Sequence, residues 1–289
     1  DEFVKEGCKV VFCGRNEELG RKIEARQPPA SAIFVRADVI REDDIARVVG
    51  TAMDTWGRID ILFNNAGGPS NPPGTRPIYN LEDVSKEYFD HALWYLLGSV
   101  MVATKLVSPI MRKQGNGSII NNSSVSVLQG NHGDPLYSVA KAGVTTFSKV
   151  TAFQLGPFGI RANAISPGSI NTPIFWGGHT QGVQLTETQK EERLERMEKA
   201  MGGGNPLRLP AERKYRDGDP RYIAHAAVYL GSDESEWVTG TDFVVDAGAN
   251  FVRGEHAGPR KRMEKMFQAK DKRLAAKRET EGQSPAAKL

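Results

Sequence analysis

The chain has 289 residues, of which 39% are hydrophobic and 25% charged, and a formal net charge of +3. These proportions exclude wholesale disorder, a collagen-like fibre and a disulfide-stapled mini-protein. No run approaches the roughly 18 uninterrupted apolar residues that span a bilayer, so we expect no membrane partner. The two cysteines, Cys8 and Cys13, indicate neither a metal site nor a disulfide framework, and we expect a reducing, cytoplasmic location.

Along residues 1–250, short apolar runs typical of buried strands alternate with helical segments. In chain order we predict strands at 9–14, 32–35, 59–63, 118–121, 161–165 and 242–246. Helices are predicted between them at 16–27, 43–56, 82–114, 136–155 and 222–230. This alternation predicts a single α/β domain with a doubly wound parallel sheet that helices cover on both faces.

Two further segments are distinguished by their charge. A charged amphipathic helix at 186–201, with glycines at both ends, is interpreted as a mobile lid or as a plain surface insertion. The C-terminal extension 251–289 holds 11 Lys and Arg against 5 Asp and Glu, whereas residues 1–250 hold 27 against 30. Its mixed charges and scarce aromatics favour a solvated extension over a nucleic-acid-binding tail.

The strongest catalytic candidate is the pattern Tyr137-Ser-Val-Ala-Lys141 in the helix 136–155. Residues four apart share one helix face, so the phenol and the ammonium point into the same space. Because a nearby cation favours the phenolate, we expect Lys141 to lower the pKa of Tyr137 from about 10. Such a tyrosine can act as a general acid or base toward an alcohol or carbonyl oxygen.

Three polar or small-residue stretches follow predicted strands, where open α/β sheets bind their ligands. They are Ile119-Ile-Asn-Asn-Ser-Ser124, Asn64-Asn65-Ala66-Gly67, and Pro167-Gly168 with Thr172-Pro173. In this combination and order, the motifs resemble the short-chain dehydrogenase/reductase family. The resemblance runs from about Phe3 to Gly248.

The resemblance implies a Rossmann-like, NAD(P)-dependent oxidoreductase that interconverts a secondary alcohol and a ketone. By position, Tyr137 is the proton donor or acceptor, Lys141 holds the nicotinamide ribose, and Ser124 hydrogen-bonds the reacting oxygen. The implied cofactor-binding residues also include, on the adenosine side, Asp38, Val39, Asn64, Ala66 and Gly67, and, at the nicotinamide end, Pro167, Gly168, Ile170 and Thr172. No metal site is expected, because the five histidines lack ligand spacing. A homodimer or homotetramer through the helices 82–114 and 136–155 is implied as well.

The choice of cofactor is inferred from the end of the strand 9–14. NAD-specific members of the family usually carry an acidic residue there, whereas this chain has Gly14-Arg15. A guanidinium suits a 2′-phosphate, so NADP is expected, with NAD as the alternative. Arg15 is otherwise a solvent-exposed side chain that faces Glu17 and Glu18.

The sequence departs from the family pattern in two ways. In Tyr95-Leu-Leu-Gly98, Tyr95 stands where the family has an Asn that helps to hold a proton-relay water. Either the Tyr95 hydroxyl substitutes for that Asn, or its ring merely packs.

The second departure is that the family's phosphate loop, Thr-Gly-x-x-x-Gly-x-Gly, is absent, and the loop and its strand would lie before Asp1. We therefore expect a sheet interrupted by two unpaired strand edges. The chain is either truncated at Asp1 or a degenerate relative, and the alternative function is a binding or regulatory module without catalysis.

Overall fold

The structure is a computed structural model, and it describes residues 1–128, 134–172, 186, 188–189, 191–192, 207 and 218–250. Most of the predicted charged helix 186–201 and all of the basic segment 251–289 lie outside these ranges. The domain boundary at residue 250 stays a prediction.

In the described part of the chain, parallel strands alternate with helices, which confirms the α/β fold. The strands are β1 (Val10–Gly14), β2 (Ala32–Arg36), β3 (Ile61–Asn64), β4 (Gly117–Asn122), β5 (Ile160–Pro167) and β6 (Asp242–Val245). The helices are α1 (Glu2–Lys5), α2 (Glu17–Glu24), α3 (Glu42–Trp56), α4 (Lys86–Leu93), α5 (Ser99–Gln114), α6 (Pro135–Leu155) and α7 (Arg221–Gly231). Each of these strands lies within a few residues of its predicted position, because its apolar run is bounded by polar or turn residues.

The strands form two parallel sheets, with the orders β1–β2 and β3–β4–β5–β6. Within the described residues, no strand pairs with both β1 and β3, so each of these two strands has an unpaired edge. The residues of β3 are only half-buried, whereas all but the last residue of β4 are buried. The interruption that the sequence predicts is therefore observed.

The hydrophobic core is divided between the two faces of the larger sheet. Successive residues of a strand point to opposite faces. Ile119 of β4 accordingly packs with Val107 of α5 and Ala152 of α6, while Ile120 packs with Leu230 of α7. Both isoleucines are fully buried, and each such burial contributes about 1.5–3 kcal/mol. This packing fixes the carboxyl ends of β3, β4 and β5 as one edge of the fold.

The continuous helical segment Lys86–Gln114 contains α4, one turn of π-helix at Trp94–Gly98, and α5. By length and composition alone it is long and apolar enough to cross a membrane, and 44% of its most apolar window is buried within the fold. Because Val107 and Met111 belong to the core beside β4, we interpret the segment as a core helix.

Candidate active site

The long helix α6 carries Tyr137 and Lys141 on one face. Asp134 caps its N-terminus and accepts a hydrogen bond from the Leu136 amide at 2.8 Å. Pro135 occupies the first helical position, where its missing N–H costs no hydrogen bond. Lys141 Nζ lies 5.8 Å from the centre of the Tyr137 ring. The helical spacing therefore brings the phenol and the ammonium into one space, as predicted.

Ser124 lies just beyond the carboxyl end of β4, close enough to Tyr137 for its hydroxyl to lower the pKa of the phenol. Its Oγ also accepts a hydrogen bond from the Ser126 amide at 3.2 Å. That amide belongs to the short 3₁₀ turn Val125–Leu128, which holds the serine at the edge of the sheet. The structure thus brings Ser124, Tyr137 and Lys141 together.

Lys141 is almost completely buried, with 4% of its surface exposed. Its Nζ donates a hydrogen bond to the main-chain oxygen of Asn122 at 2.6 Å. Burial disfavours the charged ammonium and lowers the pKa of Lys141 to about 8.

The expected lowering of the Tyr137 pKa is wrong for this structure. Burial removes water from the phenolate and raises the pKa of Tyr137 above its usual value near 10, although the neighbouring Ser124 hydroxyl lowers it. Lys141 does not offset the burial, because its ammonium bonds to the Asn122 carbonyl and its own charge is disfavoured. Tyr137 is therefore a protonated phenol at neutral pH.

The segment Asn64–Gly67 begins at the last residue of β3, and its two ends have different surroundings. Asn64 Nδ2 donates to Asn121 Oδ1 at 2.8 Å, and Asn121 Nδ2 donates to Ser148 Oγ at 2.9 Å, so a chain of amides ties β3 and β4 to α6. A Cβ built on Gly67 would lie 3.5 Å from Lys141 Nζ. Gly67 therefore borders the site, whereas Asn64 connects the elements that carry it.

The segment Pro167–Thr172, predicted to hold the nicotinamide end, begins at the last residue of β5. The Gly168 amide donates to the Val245 oxygen at 2.9 Å, and a Cβ at position 168 would lie 2.7 Å from Asp246 Cβ. Only glycine allows this close approach to the turn after β6. Ile170 packs with the apolar cluster beside α7. These contacts hold the segment at the same edge of the sheet as Ser124.

Arg15 is exposed just beyond β1. The two glutamates that the sequence suggests as its neighbours form ion pairs with other residues. Glu17 pairs with Arg21 at 3.0 Å, and Glu18 pairs with Lys22 at 2.6 Å, both within α2. Among the residues that the structure describes, no carboxylate forms an ion pair with Arg15. Its guanidinium is therefore available to an anionic ligand.

Asp38 and Val39 lie in the loop between β2 and α3. The Asp38 amide donates to Asp44 Oδ2 at 2.8 Å, and Asp38 Oδ1 accepts from the Ile40 amide at 3.2 Å. Val39 packs against the buried Ile45 of α3. These local contacts fix the conformation of the loop and leave Asp38 half-buried beside the end of β2.

Tyr95 lies in the π-helical turn between α4 and α5, a local widening that is frequent at functional sites. Its ring centre is 5.9 Å from that of His91. Burial raises the pKa of Tyr95, and the nearby Arg15 charge lowers it. Tyr95 in turn raises the pKa of Tyr137, so the two phenols lie within electrostatic reach of each other. The relay role of Tyr95 stays a prediction.

The sequence analysis did not identify the polar side chains that hold α6 and the end of β4 together beside the site. Ser123 Oγ donates to the Lys141 main-chain oxygen at 3.0 Å and shares a hydrogen bond with Thr145 Oγ1 at 2.7 Å. Asn122 Nδ2 donates to Asn65 Oδ1 at 3.0 Å. The available signal was the polar run 121–124 at the end of a buried strand, because buried polar groups require partners.

The described residues fit the nicotinamide riboside end of NAD(P). An ammonium has three N–H donors, and within the described ranges Lys141 uses one of them, on Asn122. Gly67 was predicted on the adenosine side, but its missing side chain leaves space beside that ammonium for the nicotinamide ribose, and the neighbouring Ala66 is exposed. Asn171 Oδ1 is buried without a partner among the described residues and can accept from an amide. No described residue is assigned to the pyrophosphate.

Comparisons with known proteins match most of this chain to dehydrogenases and reductases. A family model described as enoyl-(acyl carrier protein) reductase matches residues 1–250. The chain is 34% identical to L-fucose dehydrogenase from Bos taurus over 256 residues, which cover 89% of this chain and 85% of that protein. It is 33% identical to cyclopentanol dehydrogenase from Comamonas testosteroni over 248 residues, covering 85% and 88%. The crystal structure of levodione reductase matches with a TM-score of 0.68 at 27% identity, covering 86% of this chain and 91% of that one.

Proposed function

Because the chain belongs to the short-chain dehydrogenase/reductase family and is an oxidoreductase, we propose that it interconverts a ketone and a secondary alcohol with Tyr137 as general acid and base. The observation that carries the proposal is the convergence of Ser124, Tyr137 and Lys141 beyond the end of β4. The NAD(P) cofactor supplies the hydride chemistry when it is bound.

The proton chemistry follows from the states of these side chains. In reduction, Tyr137 donates its hydroxyl proton to the carbonyl oxygen, which Ser124 holds by a hydrogen bond. Since burial raises the pKa of Tyr137, the phenol is protonated at neutral pH and ready for this step. In oxidation, the phenolate accepts the proton of the alcohol, so that direction is favoured by higher pH.

Lys141 and Arg15 are proposed to hold the two ends of the cofactor. Lys141 has N–H donors beyond the one bonded to Asn122, and these suit the ribose hydroxyls. Arg15 has no ion pair with Glu17 or Glu18, which are bound within α2. A free guanidinium suits a 2′-phosphate, so we favour NADP over NAD.

The substrate is proposed to be a small secondary alcohol and its ketone. One relative, 33% identical to this chain, is named cyclopentanol dehydrogenase. Cyclopentanol is a cyclic secondary alcohol. A homo-oligomer is also proposed, because α5 and α6 expose the apolar side chains of Met101, Val139, Val150 and Phe153. We call these four residues the α5–α6 patch.

The Tyr137→Phe variant tests the proposed chemistry. It keeps the ring and removes the proton-transferring hydroxyl, so turnover of ketones with NADPH should fall at least about 1,000-fold while NADPH binding is retained. Tyr79→Phe is the control, since it makes the same change at an exposed tyrosine. Retained turnover in Tyr137→Phe would contradict the assignment. A wild-type chain that leaves NADPH fluorescence unchanged would instead favour a binding module without catalysis.

A further inference from the structure

A buried pair outside the reacting groups, Tyr88 and Asp134, fixes the first turn of α6. The Tyr88 hydroxyl, on α4, donates a hydrogen bond to Asp134 Oδ2. The other oxygen of the carboxylate, Oδ1, accepts from the amides of Leu136 at 2.8 Å and Tyr137 at 3.4 Å. One carboxylate therefore joins α4 to the turn from which Tyr137 projects.

Apolar packing holds the same junction. Tyr88, Ala92 and Leu136 form a buried cluster, and Leu136 directly precedes Tyr137 in the sequence. The Tyr88 oxygen also accepts a hydrogen bond from the Ile78 amide at 3.3 Å. The ring and the hydroxyl of Tyr88 are thus both fixed, and Tyr88 and Asp134 are 5% and 8% exposed.

The high pKa of the Tyr88 hydroxyl makes its bond to Asp134 a lasting contact. Burial and the hydrogen bond to Asp134 raise the pKa of Tyr88 to about 12, so the hydroxyl stays a donor over the working pH range. Asp134 also caps the N-terminus of the 21-residue helix α6 with its other carboxylate oxygen.

We propose that Tyr88 and Asp134 are positioning residues that aim the Tyr137 phenol at Ser124, an inference that rests on the proposed function. Tyr137 follows Asp134 by three residues, whereas Ser124 is carried by the end of β4. A shift of the first turn of α6 therefore changes the distance between the two hydroxyls. Because a misplacement of about 1 Å costs roughly 100-fold in rate, loss of one of several anchors should cost about 10-fold.

The kinetic test compares Tyr88→Phe with Asp134→Ser. Tyr88→Phe keeps the ring and removes the hydroxyl, whereas Asp134→Ser keeps a good helix cap but is too short to bond Tyr88. Each variant should lower kcat about 10-fold and leave the Kd for NADPH unchanged. The double variant should be no slower than the slower single variant, because both changes break the same bond. Tyr79→Phe is the matched control with unchanged kcat.

Amide hydrogen exchange provides a readout that does not depend on activity. Tyr88→Phe should speed exchange at the Leu136 and Tyr137 amides, and Tyr79→Phe should not. Unchanged amide exchange in Tyr88→Phe would show that the bond between Tyr88 and Asp134 does not anchor the first turn of α6. Faster exchange with an unchanged kcat would show that this anchor does not position Tyr137. A wild-type chain without turnover would contradict the proposed function and, with it, the positioning role. The exchange result would still decide whether the anchor exists.

Discussion

Lys141 Nζ donates a 2.6 Å hydrogen bond to the main-chain oxygen of Asn122, across the contact between α6 and the end of β4. Because the acceptor is backbone, the direction of the ammonium does not depend on the rotamer of another side chain. Ser123 Oγ donates in return to the Lys141 main-chain oxygen at 3.0 Å. These two bonds set Lys141 beside Gly67 before any ligand binds.

Gly67→Ala should weaken NADPH binding about 10-fold, or roughly 1.4 kcal/mol. The new methyl group would lie 3.5 Å from Lys141 Nζ and 3.8 Å from Leu96 Cδ2, in the space assigned to the ribose. Both distances are ordinary van der Waals contacts, so the melting temperature should change little. Fluorescence titration with NADPH measures the effect. Gly50→Ala is the control, since a Cβ there meets nothing within 4 Å, and equal affinities in all three proteins would contradict the prediction.

The free energy of unfolding should depend on pH through Lys141. Its pKa is about 8 in the folded chain and about 10.4 when unfolded. Between these values the unfolded state binds more protons, so this residue makes stability rise with pH, and below pH 8 its contribution is constant. Wild type should therefore gain stability relative to Lys141→Met from about pH 8 to pH 10.

Urea unfolding at several pH values measures this stability difference. Lys149→Met is the control, because Lys149 is an exposed lysine of the same helix. The difference in unfolding free energy between this variant and wild type should not change with pH. A pH-independent difference for Lys141→Met would show that the lysine is not buried as described.

The order of strands and helices was predictable because hydrophobic periodicity is a local property. The strand predicted at 118–121 and the helix predicted at 136–155 lie within one residue of β4 and α6. The meeting of Tyr137 and Lys141 also follows from the helical period. The π-helical turn could not be predicted from periodicity, because it depends on how side chains pack. The Trp94 ring packs so closely on Gly98 that a Cβ there would lie 2.7 Å from it.

Contacts between distant parts of the chain were beyond sequence reasoning. The bond between Tyr88 and Asp134 joins residues 46 apart, and no spacing rule pairs them. The direction of the Tyr137 pKa shift was missed for a related reason. Periodicity gives the face on which a side chain lies, but the depth of its burial depends on every element packed around it. Here burial is the largest cause of the raised pKa of Tyr137.

Arg15→Glu should reverse the proposed cofactor preference. A carboxylate beside a 2′-phosphate repels it and can accept hydrogen bonds from ribose hydroxyls, so the ratio of kcat/KM for NADPH to that for NADH should fall at least about 100-fold. Steady-state kinetics with both cofactors measures the ratio. Arg26→Glu makes the same charge change at another exposed arginine and should leave the ratio unchanged. The same ratio in Arg15→Glu and wild type would remove Arg15 from the cofactor site.

Phe153→Asp should dissociate the proposed homo-oligomer. Phe153 is 85% exposed on α6 and belongs to the α5–α6 patch, and a charge buried in an apolar interface without a partner costs several kcal/mol. Light scattering after size exclusion should give a dimer or tetramer for wild type and a smaller species for the variant. Leu19→Asp changes an exposed apolar residue of α2 and should keep the wild-type mass. A monomeric wild-type chain, or a Phe153→Asp variant of unchanged mass, would show that this patch does not form the interface.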